Sequence, residues 1–285
     1  MKLIGLMLAR NEEWVIGCSL RAALQWCDSV VVIDHASTDS TSKIILDIAF
    51  EYDGRVILHK WPEEEHWFEM YVRQKSLEIG RLAGGTHFAI IDCDEVLTAN
   101  NIPFVRNWFS RLSNGAVLDV PMIAPWKSLD YYSPNTQGII TLGWKDMPEM
   151  GWAPRGEEKY HYHNRPPHGM TARYGIAYIT GGVFHLQWAS LGRVEWKHIH
   201  YMMSERIRWN YPVAQINDKY HWWNRPPHGS NLEAIPESWW GNHHRDLINL
   251  EAHSWYEAEC SKMVKKYGAE AFAGLDLFGW VPNAA

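Results

Sequence analysis

The chain has 285 residues, of which 46% are hydrophobic and 21% charged, a composition typical of a globular protein. Its formal net charge of −6 argues against non-specific binding to nucleic acid, because that requires a basic surface. The four cysteines form no C-x-x-C pair and are too few for a disulfide scaffold, so we expect a reducing, cytoplasmic setting. No apolar run approaches the ~20 residues of a membrane span, and we expect no integral membrane segment.

The first 95 residues alternate between short apolar runs and segments with helical periodicity. The predicted strands are Leu3–Leu8, Val30–Ile33, Val56–His59 and Phe88–Ile91. The predicted helices are Glu12–Gln25, with Asn11 as its N-cap, residues 43–52, and Trp67–Leu82. An alternation of strands and helices predicts an α/β fold with a mostly parallel central sheet and helices on both faces.

The second half of the chain is less regular. Strands are predicted at Val117–Val120 and Ile176–Phe184, on either side of a long loop over residues 124–170. Long helices are predicted at Arg193–Trp209 and His244–Lys266. We therefore predict one α/β domain over residues 1–192, with halves 1–100 and 101–192, and a helical C-terminal extension over 193–285.

A ten-residue segment, "YHYHNRPPHG" at 160–169, recurs as "YHWWNRPPHG" at 220–229 with eight identical positions. Two explanations of this repeat are open: two similar functional loops, or one duplicated structural turn. The 17 tryptophans suit either stacking on sugar rings or a packed aromatic subdomain. The 15 histidines raise the possibility of a zinc site, but no H-E-x-x-H motif or Cys/His ligand set is present.

Polar segments follow three of the predicted strands, namely "LARNEE", "DHASTD" and "DCDE". In a parallel sheet the carboxyl ends of the strands meet at one edge, so these segments should line one crevice. No G-x-G-x-x-G follows the first strand, which argues against a dinucleotide site. Asp92 and Asp94, spaced as D-x-D, are the oxygen ligands that Mg²⁺ or Mn²⁺ prefers.

Three stretches stand in a characteristic order: "LMLARNEEWVIGCSLRAALQWCDSVVVIDHASTDSTSKII", "RQKSLE" and "FAIIDCDEVL". As a set they resemble glycosyltransferase family 2, and the resemblance covers about residues 1–100. It implies the A-type glycosyltransferase fold, GT-A, which is Rossmann-like. It also implies transfer of a sugar from a nucleotide diphosphate sugar, with residues 1–100 holding the donor and 101–192 the acceptor.

The resemblance also implies roles for individual residues. Asp34 accepts a hydrogen bond from the base, Arg73 faces the diphosphate, and Asp92 contacts the ribose or the metal's water shell. Asp94 binds the metal, and His185 is a second candidate ligand. The full set implied to bind the donor is Ala9, Arg10, Asn11, Glu12, Asp34, Arg73 and Asp92.

The family inverts the anomeric centre in one displacement, so a carboxylate must accept the proton of the acceptor hydroxyl. Glu157 and Glu158 are the candidate bases, and Asp119, Asp130 and Glu149 are rivals. The sequence departs from the family pattern at His35-Ala36 and at Gln74. These departures bear on which nucleotide the donor carries, and a UDP-sugar is favoured.

The acceptor is a glycan, a lipid-linked sugar, a protein or, less favoured, a nucleic acid. The alternatives are a catalytically inactive sugar-binding protein and a nucleotidyltransferase, although the latter's glycine-rich phosphate loop is missing near the first strand.

Overall fold

The computed structural model describes residues 1–62, 69–134, 138–152, 165–176, 179–224, 231–252 and 254–282. The chain divides into two compact units that interleave in sequence. The sheet unit comprises Met1–Ala124, Gln137–Leu186 and Ile235–Asn249. The helical unit comprises Pro125–Thr136, Gln187–Ala234 and Leu250–Ala285. The predicted boundary at residue 192 stays a prediction.

The first half of the sheet unit has the predicted alternation of strands and helices. Its strands are β1 (Leu3–Ala9), β2 (Ser29–His35), β3 (Val56–Trp61) and β4 (His87–Ile90). Its helices are α1 (Ile16–Leu24), α2 (Thr41–Glu51) and α3 (Glu69–Leu82). The four strands pair in parallel in the order β3-β2-β1-β4. Every residue of β2 is buried, as expected of a strand in the interior of such a sheet.

The described part of the second half extends the same sheet. Its elements are β5 (Glu95–Leu97), α4 (Ile102–Ser110), β6 (Ala116–Ile123), β8 (Gly138–Lys145), β9 (Ala172–Gly175) and β10 (Val183–His185). Strand β8 lies between β4 and β6 and is antiparallel to both. Within the described residues, five of the eight strand pairs of the sheet are parallel. The predicted α/β class with a mostly parallel central sheet is confirmed.

Two predictions for the middle of the chain are wrong. The long loop predicted over 124–170 contains β8. This strand forms despite its two glycines because it pairs with β4 on one side and β6 on the other. The strand predicted at Ile176–Phe184 is not continuous. Gly181 and Gly182 have φ values of 81° and 155°, which interrupt an extended strand just before β10 begins at Val183.

Two predicted helix starts are also wrong. Helix α1 begins at Ile16 rather than Glu12, and Asn11 is not its N-cap. Asn11 has a left-handed φ of 54°, and its side chain bonds the segment after β2 instead. The helix predicted from His244 begins at Trp255, and residues Arg245–Leu247 form a separate 3-10 turn.

The core of the sheet unit contains two tryptophans that are almost fully buried. Trp144 lies 5.5 Å from Phe88 and 5.5 Å from Trp152, measured between ring centroids. Aliphatic side chains of β1, β2 and α3 belong to the same cluster. These tryptophans therefore serve packing, in line with the aromatic-core explanation for part of the tryptophan content.

The helical unit contains α5 (Leu191–Trp209), α6 (Val213–Asn224) and α8 (Trp255–Tyr267), and also the short strands β7 (Tyr131–Tyr132) and β11 (Glu233–Ala234). The described side chains of the three helices share an apolar core that includes Met203, Tyr220 and Cys260. The short helix α7 (Glu237–Trp240) belongs to the sheet unit. Among the described residues, no helix is both long and apolar enough to cross a membrane.

Candidate functional site

The candidate site lies where parallel strands of the sheet unit end. Strand β1 is flanked by β2 and β4, and Ala9 at its end is in register with Asp34. The segments that follow the three strands therefore leave the sheet at the same edge. Ligands in open α/β sheets bind beyond this edge.

The segment after β1 is tied to the segment after β2. The left-handed Asn11 donates its backbone N–H to Ser37 Oγ at 2.9 Å and accepts the N–H of Thr38 on its Oδ1 at 2.7 Å. Arg10 Nη1 lies 3.0 Å from His35 Nδ1. These contacts bring Arg10 and Asn11 together with the β2 segment, as the sequence predicts.

Glu12, the next residue, is held by two further contacts. Its backbone N–H donates to Thr41 Oγ1 at 2.7 Å, and its carboxylate accepts the indole N–H of Trp14 at 2.6 Å. The first turn of α2 and the chain before α1 are thereby joined.

Asp34 is buried at the end of β2. Its Oδ1 accepts the backbone N–H of Ser37 at 3.1 Å and the hydroxyl of that residue at 2.5 Å. Its Oδ2 accepts the hydroxyl of Ser42, in the first turn of α2. Both carboxylate oxygens therefore brace the turn between β2 and α2, and contact with a nucleotide base stays a prediction.

Arg73 and Asp92 form an ion pair in which the guanidinium is buried and the carboxylate is partly exposed. Arg73 Nη2 lies 3.2 Å from Asp92 Oδ1, and Arg73 Nε donates to Glu69 Oε1 at 2.7 Å. Burial raises the pKa of Asp92, but Arg73 and Arg165 together outweigh it, and the pKa lies below its usual value. Asp92 is therefore ionised at neutral pH.

Asp94 and His185 meet because of strand register. Strand β5 pairs with β10 in antiparallel fashion, with His185 opposite Glu95, and the N–H of Leu186 donates to the Asp94 carbonyl at 2.7 Å. This register brings His185 Nε2 to 3.4 Å from Asp94 Oδ2. Both sequence-predicted metal ligands are thus brought together.

These two groups suit a hard or borderline divalent cation. A carboxylate oxygen and a neutral imidazole nitrogen are ordinary ligands of Mn²⁺, and Mg²⁺ accepts the carboxylate. Within the described ranges, no cluster of three or more His, Cys, Asp or Glu side chains could hold a metal ion. Two protein ligands nevertheless fit a cation whose other positions are filled by substrate phosphates and water.

Arg165 is a member of the site that the sequence did not predict. Its guanidinium bonds both oxygens of Glu95, at 2.8 and 2.6 Å, and reaches Asp92 Oδ2 at 3.1 Å. The only available signal was its place in the first N-R-P-P-H-G segment. The corresponding part of the second copy, residues 225–229, lies outside the described residues.

The candidate bases remain predictions. Glu157 and Glu158 lie outside the described residues. Among the rivals, Asp119 accepts bonds from Arg173 Nε and Nη2, both at 2.9 Å. Glu149 is exposed, and Asp130 belongs to the helical unit.

No family model matches the chain, and no curated protein matches it. Solved structures with partial likeness include residues 1–349 of TarS from S. aureus in complex with UDP, at 22% identity and a TM-score of 0.34, covering 44% of this chain and 36% of that one. Another is the mannosyltransferase PcManGT from Pyrobaculum calidifontis with GDP-Man and Mn²⁺, at 24% identity and a TM-score of 0.30, covering 35% and 29%.

A third is glucosyl-3-phosphoglycerate synthase from Mycobacterium tuberculosis with Mn²⁺, UDP and glucosyl-3-phosphoglycerate, at 20% identity and a TM-score of 0.29, covering 43% of each chain. The matched part spans less than half the length of each of these three proteins. At these values the likenesses establish neither a family nor an activity.

Proposed function

We propose that the chain is a metal-dependent, inverting glycosyltransferase that moves a sugar from a nucleotide diphosphate sugar to a hydroxyl acceptor. The observation that carries this proposal is the pair of Asp94 and His185, 3.4 Å apart beside the carboxyl edge of a parallel sheet. A cation site at this edge suits a diphosphate ligand, since the loops after β1 and β2 close the same crevice. The fold would then be of the GT-A type, and a UDP-sugar is the favoured donor.

Within this proposal, Asp94 and His185 hold Mn²⁺ or Mg²⁺. The bound cation supplies neutralisation of the charge that develops on the leaving diphosphate. Arg73 is already bonded to Glu69 and Asp92, so we propose that it fixes Asp92 and favours the diphosphate through its charge. Asp92 then faces the ribose or the water shell of the cation.

The acceptor hydroxyl has to lose its proton as the new bond forms, and Glu157 or Glu158 is the proposed base. Replacing the true base by glutamine should spare donor binding and lower turnover, because the amide still fills the space but accepts no proton. Glu157→Gln and Glu158→Gln, each measured for UDP binding and for transfer, test the assignment. Full turnover in both variants places the base elsewhere.

The test of the function is thermal unfolding with Mn²⁺ and nucleotide diphosphates. A ligand at 100 times its Kd stabilises the folded state by about 2.7 kcal/mol, so UDP with Mn²⁺ should raise the Tm. Asp94→Asn should abolish the shift. The exposed Asp47, which pairs with Lys43 one helical turn away, provides the matched control Asp47→Asn, which should retain the shift.

The absence of a shift with UDP, GDP and dTDP alike contradicts the proposal. Release of UDP from a UDP-sugar then separates an enzyme from an inactive sugar-binding protein on the same fold, since only the enzyme turns the donor over.

A further inference from the structure

The guanidinium of Arg165 donates hydrogen bonds through all three of its nitrogens to acceptors in the sheet unit. Nε donates to the Thr141 carbonyl at 2.8 Å, and Nη2 donates to the Ile90 carbonyl at 2.9 Å. The remaining bonds go to Glu95 and Asp92, giving five donor contacts in all. A guanidinium has five N–H groups, so binding a phosphate as well would require breaking one of these bonds.

The atoms that Arg165 bonds belong to three strands or their ends. Ile90 ends β4, Glu95 begins β5, and Thr141 lies in β8. The turn between β4 and β5 is also closed from inside, because the Asp92 N–H donates to Glu95 Oε2 at 3.0 Å and the Glu95 N–H donates to the Asp92 carbonyl at 2.9 Å. Arg165 therefore clamps the base of the turn that carries Asp94.

The charges in this turn explain why such a clamp is needed. Three carboxylates lie within four consecutive residues, and like charges this close repel one another. Glu95 is 2% exposed, so its charge has to be balanced within the protein. Arg165 balances it with two parallel bonds, a geometry that lysine cannot reproduce.

We propose that Arg165 is a positioning residue of the candidate site. It holds Glu95 and Asp92 so that the turn presents Asp94 beside His185. Arg165 contacts neither the donor nor the metal. The role in ligand binding rests on the proposed function, whereas the effect on the turn does not.

Arg81 provides a matched control in the same unit. It also bonds both oxygens of one carboxylate, Asp146, at 2.7 and 2.9 Å, and two backbone carbonyls, at 3.0 and 2.8 Å. Arg81→Lys therefore removes a clamp of the same kind, but one that does not touch the turn of Asp94. We use lysine in both cases because it keeps the positive charge and so favours folding.

The first readout is amide hydrogen exchange in metal-free protein. Arg165→Lys should speed exchange of the Asp92 and Glu95 amides about tenfold relative to wild type, after correction for global stability. The second readout is the Kd for Mn²⁺ in the presence of UDP, followed by electron paramagnetic resonance, which should rise about tenfold. Arg81→Lys should change neither quantity.

Unchanged exchange in Arg165→Lys overturns the proposal, as does equal loosening in Arg81→Lys. Faster exchange with unchanged Mn²⁺ binding overturns it as well, because the clamp then has no bearing on Asp94. If wild-type protein binds no Mn²⁺ with UDP, the proposed function fails, while the exchange comparison still decides whether Arg165 positions the turn. The double variant Arg165→Gln/Glu95→Gln removes both charges and serves as the folded alternative if the lysine variant does not fold.

Discussion

Gly143→Ala should destabilise the sheet unit and disturb the candidate site together. Gly143 lies on β8 opposite Ala89 of β4, the strand that leads into the acidic turn. A Cβ at residue 143 would lie 2.1 Å from the carbonyl oxygen of Phe88 and 2.7 Å from the ring of Phe109. The carbonyl oxygen is part of the backbone, so the clash is relieved only if the two strands move apart.

The required movement sets the size of the effect. An ordinary carbon–oxygen contact is roughly 3.2 Å, so the strands have to separate locally by about 1 Å. Overpacking of this kind costs roughly 1–3 kcal/mol, and each weakened hydrogen bond between β4 and β8 adds about 1 kcal/mol. We therefore expect a loss of about 2–4 kcal/mol in the free energy of unfolding.

Urea unfolding followed by circular dichroism measures this loss, and the Kd for Mn²⁺ with UDP reports the site. Gly138→Ala, on the same strand, is the matched control, because among the described residues its Cβ would meet only the flexible end of Met122, at 3.3 Å. The control should stay within about 0.5 kcal/mol of wild type. If Gly143→Ala is as stable as Gly138→Ala, the close approach of β8 to β4 is refuted.

Three further predictions concern buried polar groups. Burial is the main cause that lowers the pKa of His87 to about 4, and the charge of Lys145 is the second. As the pH falls below about 6.5, this histidine therefore takes up a proton in the unfolded chain but not in the folded protein. Unfolding free energies should show that wild type loses about 2 kcal/mol more than His87→Asn between about pH 7.5 and pH 5, and equal losses contradict this. Tyr220→Phe removes the 2.9 Å bond to the buried Glu205 carboxylate and should cost about 1.5–3 kcal/mol in urea unfolding, whereas the exposed Tyr267→Phe should cost almost nothing. Asp34→Asn should lower stability by about 1 kcal/mol through the turn after β2, and an unchanged Kd for UDP would confine Asp34 to that structural role.

The alternating half of the fold could be predicted because each element carries its own signal. The strands β1 to β4 are short apolar runs, and the helices between them show helical periodicity, so neither depends on distant partners. The start of α1 was misplaced because an asparagine before a periodic segment resembles an N-cap. Its actual conformation is determined by hydrogen bonds to Ser37 and Thr38, which local sequence does not reveal.

Strand β8 could not be predicted for a different reason. Its residues, Gly138–Lys145, include two glycines and no clear alternation, which argue for a loop when taken alone. They form a strand because β4 and β6 offer hydrogen-bonding edges on both sides. Gly143 is required there because β8 approaches β4 closely. In the sequence, however, a glycine indicates a loop, so this tertiary requirement cannot be recognised.

The residues of the candidate site also differ in whether a local sequence signal or a long-range contact places them. Asp92 and Asp94 could be placed at the sheet edge because they directly follow a strand. Arg165 could not, because it follows the acids by about 70 residues and reaches them only through a long-range contact. A sequence shows how many charges a turn carries, whereas only the structure shows which of them are neutralised internally.

That distinction changes what the acidic turn requires of a ligand. From the sequence alone, a divalent cation is the expected counter-charge for Asp92 and Asp94. Two arginines contact Asp92, and one of them, Arg165, also binds both oxygens of Glu95. These ion pairs balance Asp92 and Glu95 within the protein, so we expect the cation to act on Asp94, His185 and the diphosphate. Metal removal should consequently abolish nucleotide binding while leaving the Tm of the unliganded protein nearly unchanged, and a large fall in that Tm on chelation would show that the arginines do not suffice.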